Sequence, residues 1–307
     1  MLLAFHNAFA SARVEDTALD FMLPALTKKL QNGFCHYVDG GAGIGHTGLA
    51  YNRILEASLE EPNKGRARIT CYEPLAENFA EMSKRLTDTR RFHLRKLAVS
   101  SANKMTKFVV PHRQTADNEN WGRGTSYNGF VDNGAPHPGY ETIEVEMVRL
   151  EDDLETQPDF VKLDLQGGEL EAIKGLGKML TDVKLLYIET QLMGNEQACQ
   201  YLAENGFVVS FDKFQFGLLS NTGQVPIKQL RDLGIVIDRM YLPNGSGMPL
   251  VIFGYLEKGR DLFDGYSFST DTKAALKKIG IEYFQTDAIC INTKYSNEIF
   301  SELHSII

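Results

Sequence analysis

Apolar residues recur at helical spacing at Leu19, Met22, Leu23, Leu26 and Leu30, and Asn32-Gly33 closes the segment, so residues 14–32 predict an amphipathic helix. FCHYVD follows, an apolar run that meets glycines and reads as a buried strand. Helical spacing returns over residues 45–58, and Glu61-Pro62-Asn63-Lys64-Gly65 is a polar turn. ARITCYEP predicts a second strand stopped by Pro74, Leu75 to Leu86 a helix, and FHLRKLAVS a third strand. Strand, helix, strand, helix, strand implies parallel pairing through right-handed crossovers.

Residues 111–140 break this rhythm. They are rich in Gly, Asn, Pro and His and hold Trp121, Ser126, Tyr127 and His137. A loop of that length belongs to function or to disorder, and these side chains could line an acceptor pocket or a plain surface excursion. TIEVEMVRL then alternates like a strand, and DFVKLDL is an apolar strand leading to a helix from about Glu169 to Leu180. VKLLYIET, GFVVSF, IVIDRMYL, MPLVIFGYL and AICINTKY read as later strands, with helices over 196–204 and 271–279. The fold class expected is α/β, a doubly wound, mostly parallel sheet.

The loop V-D-G-G-A-G-I-G-H-T-G follows the first strand and opens a helix. It fits two templates. One is D-x-G-x-G-x-G, on Asp39, Gly41, Gly43 and Gly45; the other is the dinucleotide fingerprint G-x-G-x-x-G, on Gly43, Gly45 and Gly48. Register favours the first. The dinucleotide reading would end the strand in Asp-Gly-Gly-Ala, and those residues are poor strand formers. The first ends it at Val38 and puts a carboxylate at the mouth of the loop. A pyrophosphate would be repelled there, whereas S-adenosylmethionine has no phosphate and carries a sulfonium and an ammonium. Glu73 ends the next strand, where an acid can accept ribose hydroxyls; as a residue before a proline it also suits a solvated turn. Pro74 and Ala98 complete the expected cofactor set.

DFVKLDLQGGELEAIKGLGKML runs a buried strand into Asp164, two glycines and a helix. That spacing places Asp164 at the carboxyl edge of the sheet, beside the first glycine loop, where ligands of open α/β sheets bind. VKLLYIET ends in Glu189. With VDGGAGIG and CYEP, this segment resembles the FkbM family of S-adenosylmethionine-dependent methyltransferases. The similarity covers roughly residues 36–255. Residues 1–35 then form an N-terminal helical segment and 256–307 a C-terminal extension, which could serve dimerisation or act as a substrate lid. The chain departs from the family pattern at Gln166, where glutamate is common, and in a longer spacing between Gly45 and Glu73. The resemblance implies the Rossmann-like sheet of class I methyltransferases with an antiparallel edge strand, S-adenosyl-L-methionine as cofactor, and O-methylation of a small-molecule or sugar hydroxyl.

Composition narrows the partners. Of 307 residues, 32 are Lys or Arg and 40 Asp or Glu, a net charge of -8. The basic residues scatter in short pairs, so a nucleic-acid substrate is disfavoured. Cys35, Cys71, Cys199 and Cys290 form no C-x-x-C and read as buried thiols of a reducing cytoplasm. No stretch reaches eighteen apolar residues, so no transmembrane span is expected. The N-terminal MLLAFHNAFASA lacks a basic n-region, and the expectation is a soluble, cytoplasmic protein.

Methyl transfer to a hydroxyl needs alignment and benefits from a base. Asp164 is the first candidate for base or acceptor anchor, although a carboxylate at a strand end also suits capping of the next helix. Glu169 and Glu189 come next. His46, His93, His112 and His137 lack the spacing of metal ligands, and no metal is demanded. Two rivals remain at this level: an NAD(P)-dependent Rossmann oxidoreductase, and a non-catalytic module of the same fold that scaffolds a partner.

Overall fold

The computed structural model describes residues 23–24, 26–27, 35–60, 63–111, 130–131, 134, 140–191, 196–218, 227–241, 250–256 and 263–297. The described residues divide into two compact units, one within Phe21–Ile188 and Ile291–Ile307, the other within Glu189–Cys290.

The first unit begins β1 (His36–Gly40), α1 (His46–Ser58), β2 (Arg68–Tyr72), α2 (Ala76–Arg85) and β3 (Phe92–Arg95). It continues with β4 (Ala98–Val99), β5 (Lys104–Pro111), β6 (Phe130–Val131), β7 (Tyr140–Val148), a one-turn helix α3 (Leu150–Asp153), β8 (Phe160–Leu163), α4 (Glu169–Gly175) and the start of β9 (Leu185–Gln191). Its main sheet has the order β9-β8-β1-β2-β3. All four neighbouring pairs are parallel. Every residue of β1 is buried, as a central parallel strand covered on both faces requires. The fold is therefore α/β and mostly parallel, as the alternation of strands and helices implied.

Chain order places the site. The chain steps from β1 through β2 to β3 at one edge, then returns to β8 on the other side of β1. The reversal falls between β1 and β8. Loops leaving that point diverge and open a crevice at the carboxyl ends of the strands.

The α1 helix is fastened to this sheet by aromatic rings. Tyr51 of α1 meets Phe160 of β8 at 5.3 Å and Tyr37 of β1 at 6.1 Å, both edge to face. Tyr37 and Phe160 close the triangle at 5.4 Å. Edge-to-face pairs of this kind each add about 0.5–1.5 kcal/mol beyond area burial. The expected helix over 14–32 lies mostly outside the described residues, but Leu23 and Leu26 are fully buried. The Thr27 hydroxyl of that segment hydrogen-bonds the Tyr37 hydroxyl.

FHLRKLAVS, expected as one strand, is two. β3 belongs to the parallel sheet, while β4 enters a smaller sheet of order β4-β7-β5-β6. There β4 pairs parallel to β7, and β5 pairs antiparallel to both β7 and β6. Leu75, Ala98, Phe108, Val110, Val145 and Met147 form its apolar cluster. Periodicity could not show this change of partner, because a strand reads the same in either sheet. Likewise the expected helix to Leu180 changes pitch: α4 ends at Gly175 and a 3₁₀ segment occupies Gly177–Asp182.

In the second unit α5 (Gln197–Glu204), β10 (Phe207–Leu218), α6 (Ile227–Asp232), β11 (Ile235–Tyr241) and β12 (Leu250–Leu256) precede β13 (Phe263–Asp264), β14 (Ser267–Phe268), α7 (Thr270–Lys278) and β15 (Ile281–Asn292). β12 pairs antiparallel with both β10 and β11, with a bulge between Ile237 and Met240. Glu196, just before α5, accepts from Ser267 and Lys273, the latter at 2.8 Å. All four cysteines are buried and unpaired. Among the described residues no helix is long and apolar enough to cross a membrane.

Gly175 shows how tightly α4 is seated: a Cβ there would lie 2.0 Å from the Ser100 carbonyl oxygen, a backbone atom. Gly175→Ala should therefore lower unfolding stability by about 1–3 kcal/mol or more through overpacking. Gly65→Ala, where nothing lies within 4 Å, is the control and should stay near wild type. Urea denaturation measures both, and equal midpoints would show that α4 can shift away without cost.

Candidate functional site

The glycine loop leaves β1 at the reversal point and is held by its neighbours. Gly41 N and Ala42 N both donate to Tyr72 O, at 3.1 and 2.9 Å, and Asp164 N donates to Gly40 O at 3.1 Å. Gly41, Gly43 and Gly45 all have positive φ, at 78°, 55° and 87°. At Gly41 a second constraint applies, since a Cβ would lie 2.0 Å from Asp164 O. This position needs both the left-handed backbone and the missing side chain. The two loops at the reversal are in contact through it.

Glu73 stands after β2 and is only 5% exposed. Its Oε1 accepts from Leu75 N at 2.9 Å and Asn78 Nδ2 at 3.3 Å, and its Oε2 accepts from Gly43 N at 2.9 Å. It is thus the buried clamp of the glycine loop rather than a solvated turn acid. Burial raises its carboxyl to about 7, against the lowering effect of those three donors. A carboxylate oxygen has two acceptor positions, and the hydrogen bond from Gly43 N fills one on Oε2.

Asp39 is fully buried. Among the described residues neither of its carboxylate oxygens has a hydrogen-bond partner, and its charge is met by an ion pair. Burial raises its carboxyl above the usual range, and Lys162 opposes that rise. Lys162 Nζ lies 3.4 Å from Asp39 Oδ1 and 3.5 Å from Asp164 Oδ2. The contact follows from register: Asp39 and Lys162 are paired on adjacent parallel strands, and Lys162 and Asp164 are two apart on one strand, hence on one face. Tyr51 reaches the same region with a buried hydroxyl that has no hydrogen-bond partner among the described residues. Sequence reasoning passed over Lys162 as a site residue; the available signal was a lone lysine in the apolar strand FVKL, two residues before an aspartate.

The three expected catalytic acids separate. The Asp164 side chain is 41% exposed and takes a 3.0 Å hydrogen bond from Gln166 Nε2 on Oδ1. Gln166 itself holds φ 54°, the one positive-φ non-glycine among the described residues. Asp164 does not cap α4, whose N-cap is Gly168 with no side-chain capping bond. Glu169 is 4% exposed, and its Oε1 accepts from Leu165 N at 2.7 Å and Gly167 N at 3.3 Å. Burial raises its carboxyl too, against the amides it accepts. Glu189 is half-buried and belongs to the second unit. Pro74 is half-buried after Glu73. The Ala98 side chain packs in the apolar cluster of the small sheet, so its backbone is what it can offer a ligand. His46 opens α1 and is exposed. Trp121, Ser126, Tyr127 and His137 lie outside the described residues. Among those described, no group of three or more His, Cys, Asp or Glu is placed to hold a metal ion.

The pattern of loop, clamp and acids extends over the region that the methyltransferase FkbM domain matches, residues 39–209, more than half of the chain. The chain belongs to the FkbM methyltransferase family. It is similar to the solved FkbM methyltransferase from Methylobacillus flagellatus, with 16% identity, TM-score 0.38, and coverage of 58% of this chain but only 40% of that one. It is also similar to precorrin-6y C5,15-methyltransferase from Geobacter metallireducens, with 11% identity over 93% of this chain and 96% of that one, at TM-score 0.36. An rRNA methylase from Streptococcus thermophilus matches at 10% identity over 80% of this chain and all of that one, with TM-score 0.35. No curated protein matches the chain.

The Glu73 clamp has a pH signature. In the fold its carboxyl holds a proton to about pH 7, against 4.5 ordinarily. Its contribution to stability is therefore full below pH 4.5 and lost as pH rises through about 7. Relative to Glu73→Gln, the wild type should lose on the order of 3 kcal/mol of unfolding stability across that window. Urea titrations at several pH values test this, and a constant difference between the two proteins would contradict it.

Proposed function

We propose that this FkbM-family chain binds S-adenosyl-L-methionine at the reversal point and methylates a hydroxyl of a small molecule or carbohydrate. The observation that carries the reading is the charge of the crevice loops. Asp39, Glu73, Asp164 and Glu169 stand on the strand ends and loops there, and Lys162 pairs with Asp39 and Asp164. That surround suits a cationic ligand without phosphate and opposes a pyrophosphate. The backbone of Gly41, Gly43 and Gly45 lets a ligand approach closely, and the spare acceptor of Glu73 suits a ribose hydroxyl. Pro74 and the Ala98 backbone would complete the pocket, with Asp39 acting through its field from beneath. When bound, S-adenosylmethionine supplies a methyl carbon already activated by its sulfonium.

The chain's own residues would then orient the acceptor and move its proton. Alignment alone is worth roughly 7–11 kcal/mol, and a base adds about 10²–10⁴ in rate. Asp164 suits that work because it is reachable from solvent while both oxygens are steered by Gln166 and Lys162. Glu169, with its carboxylate spent on two loop amides, would hold the loop's shape instead. The net charge of -8 fits a small neutral acceptor better than a nucleic acid.

Two measurements follow. S-adenosylhomocysteine should bind in calorimetry and raise the melting temperature, because a ligand of the native state stabilises it; binding of NAD with no effect of the homocysteine product would end the cofactor assignment. Asp164→Asn should keep that binding and lose about 10²–10⁴ in single-turnover rate, assayed on hydroxyl acceptors identified by screening sugars and small alcohols. A folded Asp164→Asn protein with full activity would remove Asp164 from the chemistry.

A further inference from the structure

The charges at the reversal point form a line graded by exposure. Asp39 is fully buried, the Lys162 side chain is 11% exposed and that of Asp164 is 41% exposed. The ammonium sits between the carboxylates at 3.4 and 3.5 Å. A carboxylate sealed from water and lacking any hydrogen bond is costly to keep unless a charge lies against it. Asp39 therefore fixes where Lys162 can sit, and the strand geometry brings the same ammonium under Asp164. The opposite oxygen of Asp164 is held by Gln166, in a backbone conformation that side chains rarely adopt.

We propose that Lys162 is a positioning residue that holds the Asp164 carboxylate in place, with buried Asp39 as the fixed counter-charge behind it. This deepens the reading of Asp164 as acceptor anchor or base and rests on it. It also gives Asp39 a role at one remove, through an ammonium rather than through contact with a ligand. In this arrangement the strand FVKL carries the working cation, and Gln166 supplies a donor to the other oxygen of Asp164.

The test reads Asp164 directly and needs no acceptor. The groups that face this line are Asp39 of β1, Tyr51 of α1, Cys71 of β2, Lys162 of β8, and Glu169 of α4 beside Asp164. The Asp164 carboxyl carbon is followed by carbon-13 NMR at one fixed pH in the wild-type protein, in Lys162→Arg and in the charge-balanced pair Asp39→Asn with Lys162→Met. The pair is used because Lys162→Met alone would strand the buried Asp39 charge and endanger folding.

In the pair the Asp164 carboxyl resonance should leave its wild-type position, because the ammonium that fixes it is gone, while Lys162→Arg stays close to wild type. An unmoved resonance in the folded pair overturns the proposal. So does a loss of S-adenosylhomocysteine binding, by calorimetry, in Lys162→Arg with the Asp164 resonance unmoved, which would give Lys162 to the cofactor instead. If the wild type fails to bind S-adenosylhomocysteine, the cofactor reading falls, while the resonance still decides the role of Lys162.

Discussion

A carboxylate without access to water organises the first unit. Asp39 is the next-to-last residue of a central strand, fully buried, where an apolar residue would cost nothing. Its charge is tolerable because parallel pairing puts Lys162 directly beside it. The β1–β8 pairing is also the point where the strand order reverses. The same register that neutralises Asp39 therefore lays Asp164 at the crevice and brings the two loops together.

The glycine loop is shaped from three sides. Tyr72 O takes two of its amides, Glu73 takes a third, and Gly41 leaves room for the Asp164 carbonyl. None of these contacts is with a distant surface; each joins neighbouring strand ends of one sheet. The carboxylates at the site have accordingly divided their labour. Glu73 and Glu169 spend their oxygens on backbone amides and carry raised carboxyls through burial. Asp164 keeps solvent access. Residue type alone would have treated these three acids as equivalents.

Much of this was legible in the chain. The apolar run of β1 meeting glycines, the strand ending at Glu73 and the apolar strand entering Asp164 each marked a strand end near its true place. Local chemistry explains why: a buried parallel strand must be apolar, and a loop that turns with positive φ must be glycine. Where the reading missed, the missing information was partnership. FHLRKLAVS split because Ala98 and Val99 pair with β7, about fifty residues later, and no local pattern encodes the partner of a strand.

The sequence by itself determined which residues had to be buried, where the backbone had to turn left-handed, and therefore the α/β alternation and the position of the glycine loop. These follow from side-chain hydrophobicity and backbone sterics, which act over a few residues. The tertiary structure alone decided which charges meet. Asp39 and Lys162 are more than a hundred positions apart, yet strand register brings them to 3.4 Å. Burial and hydrogen bonding, set by neighbours distant in sequence, then decided that Glu73 clamps a loop, that Glu169 holds one, and that Asp164 stands open.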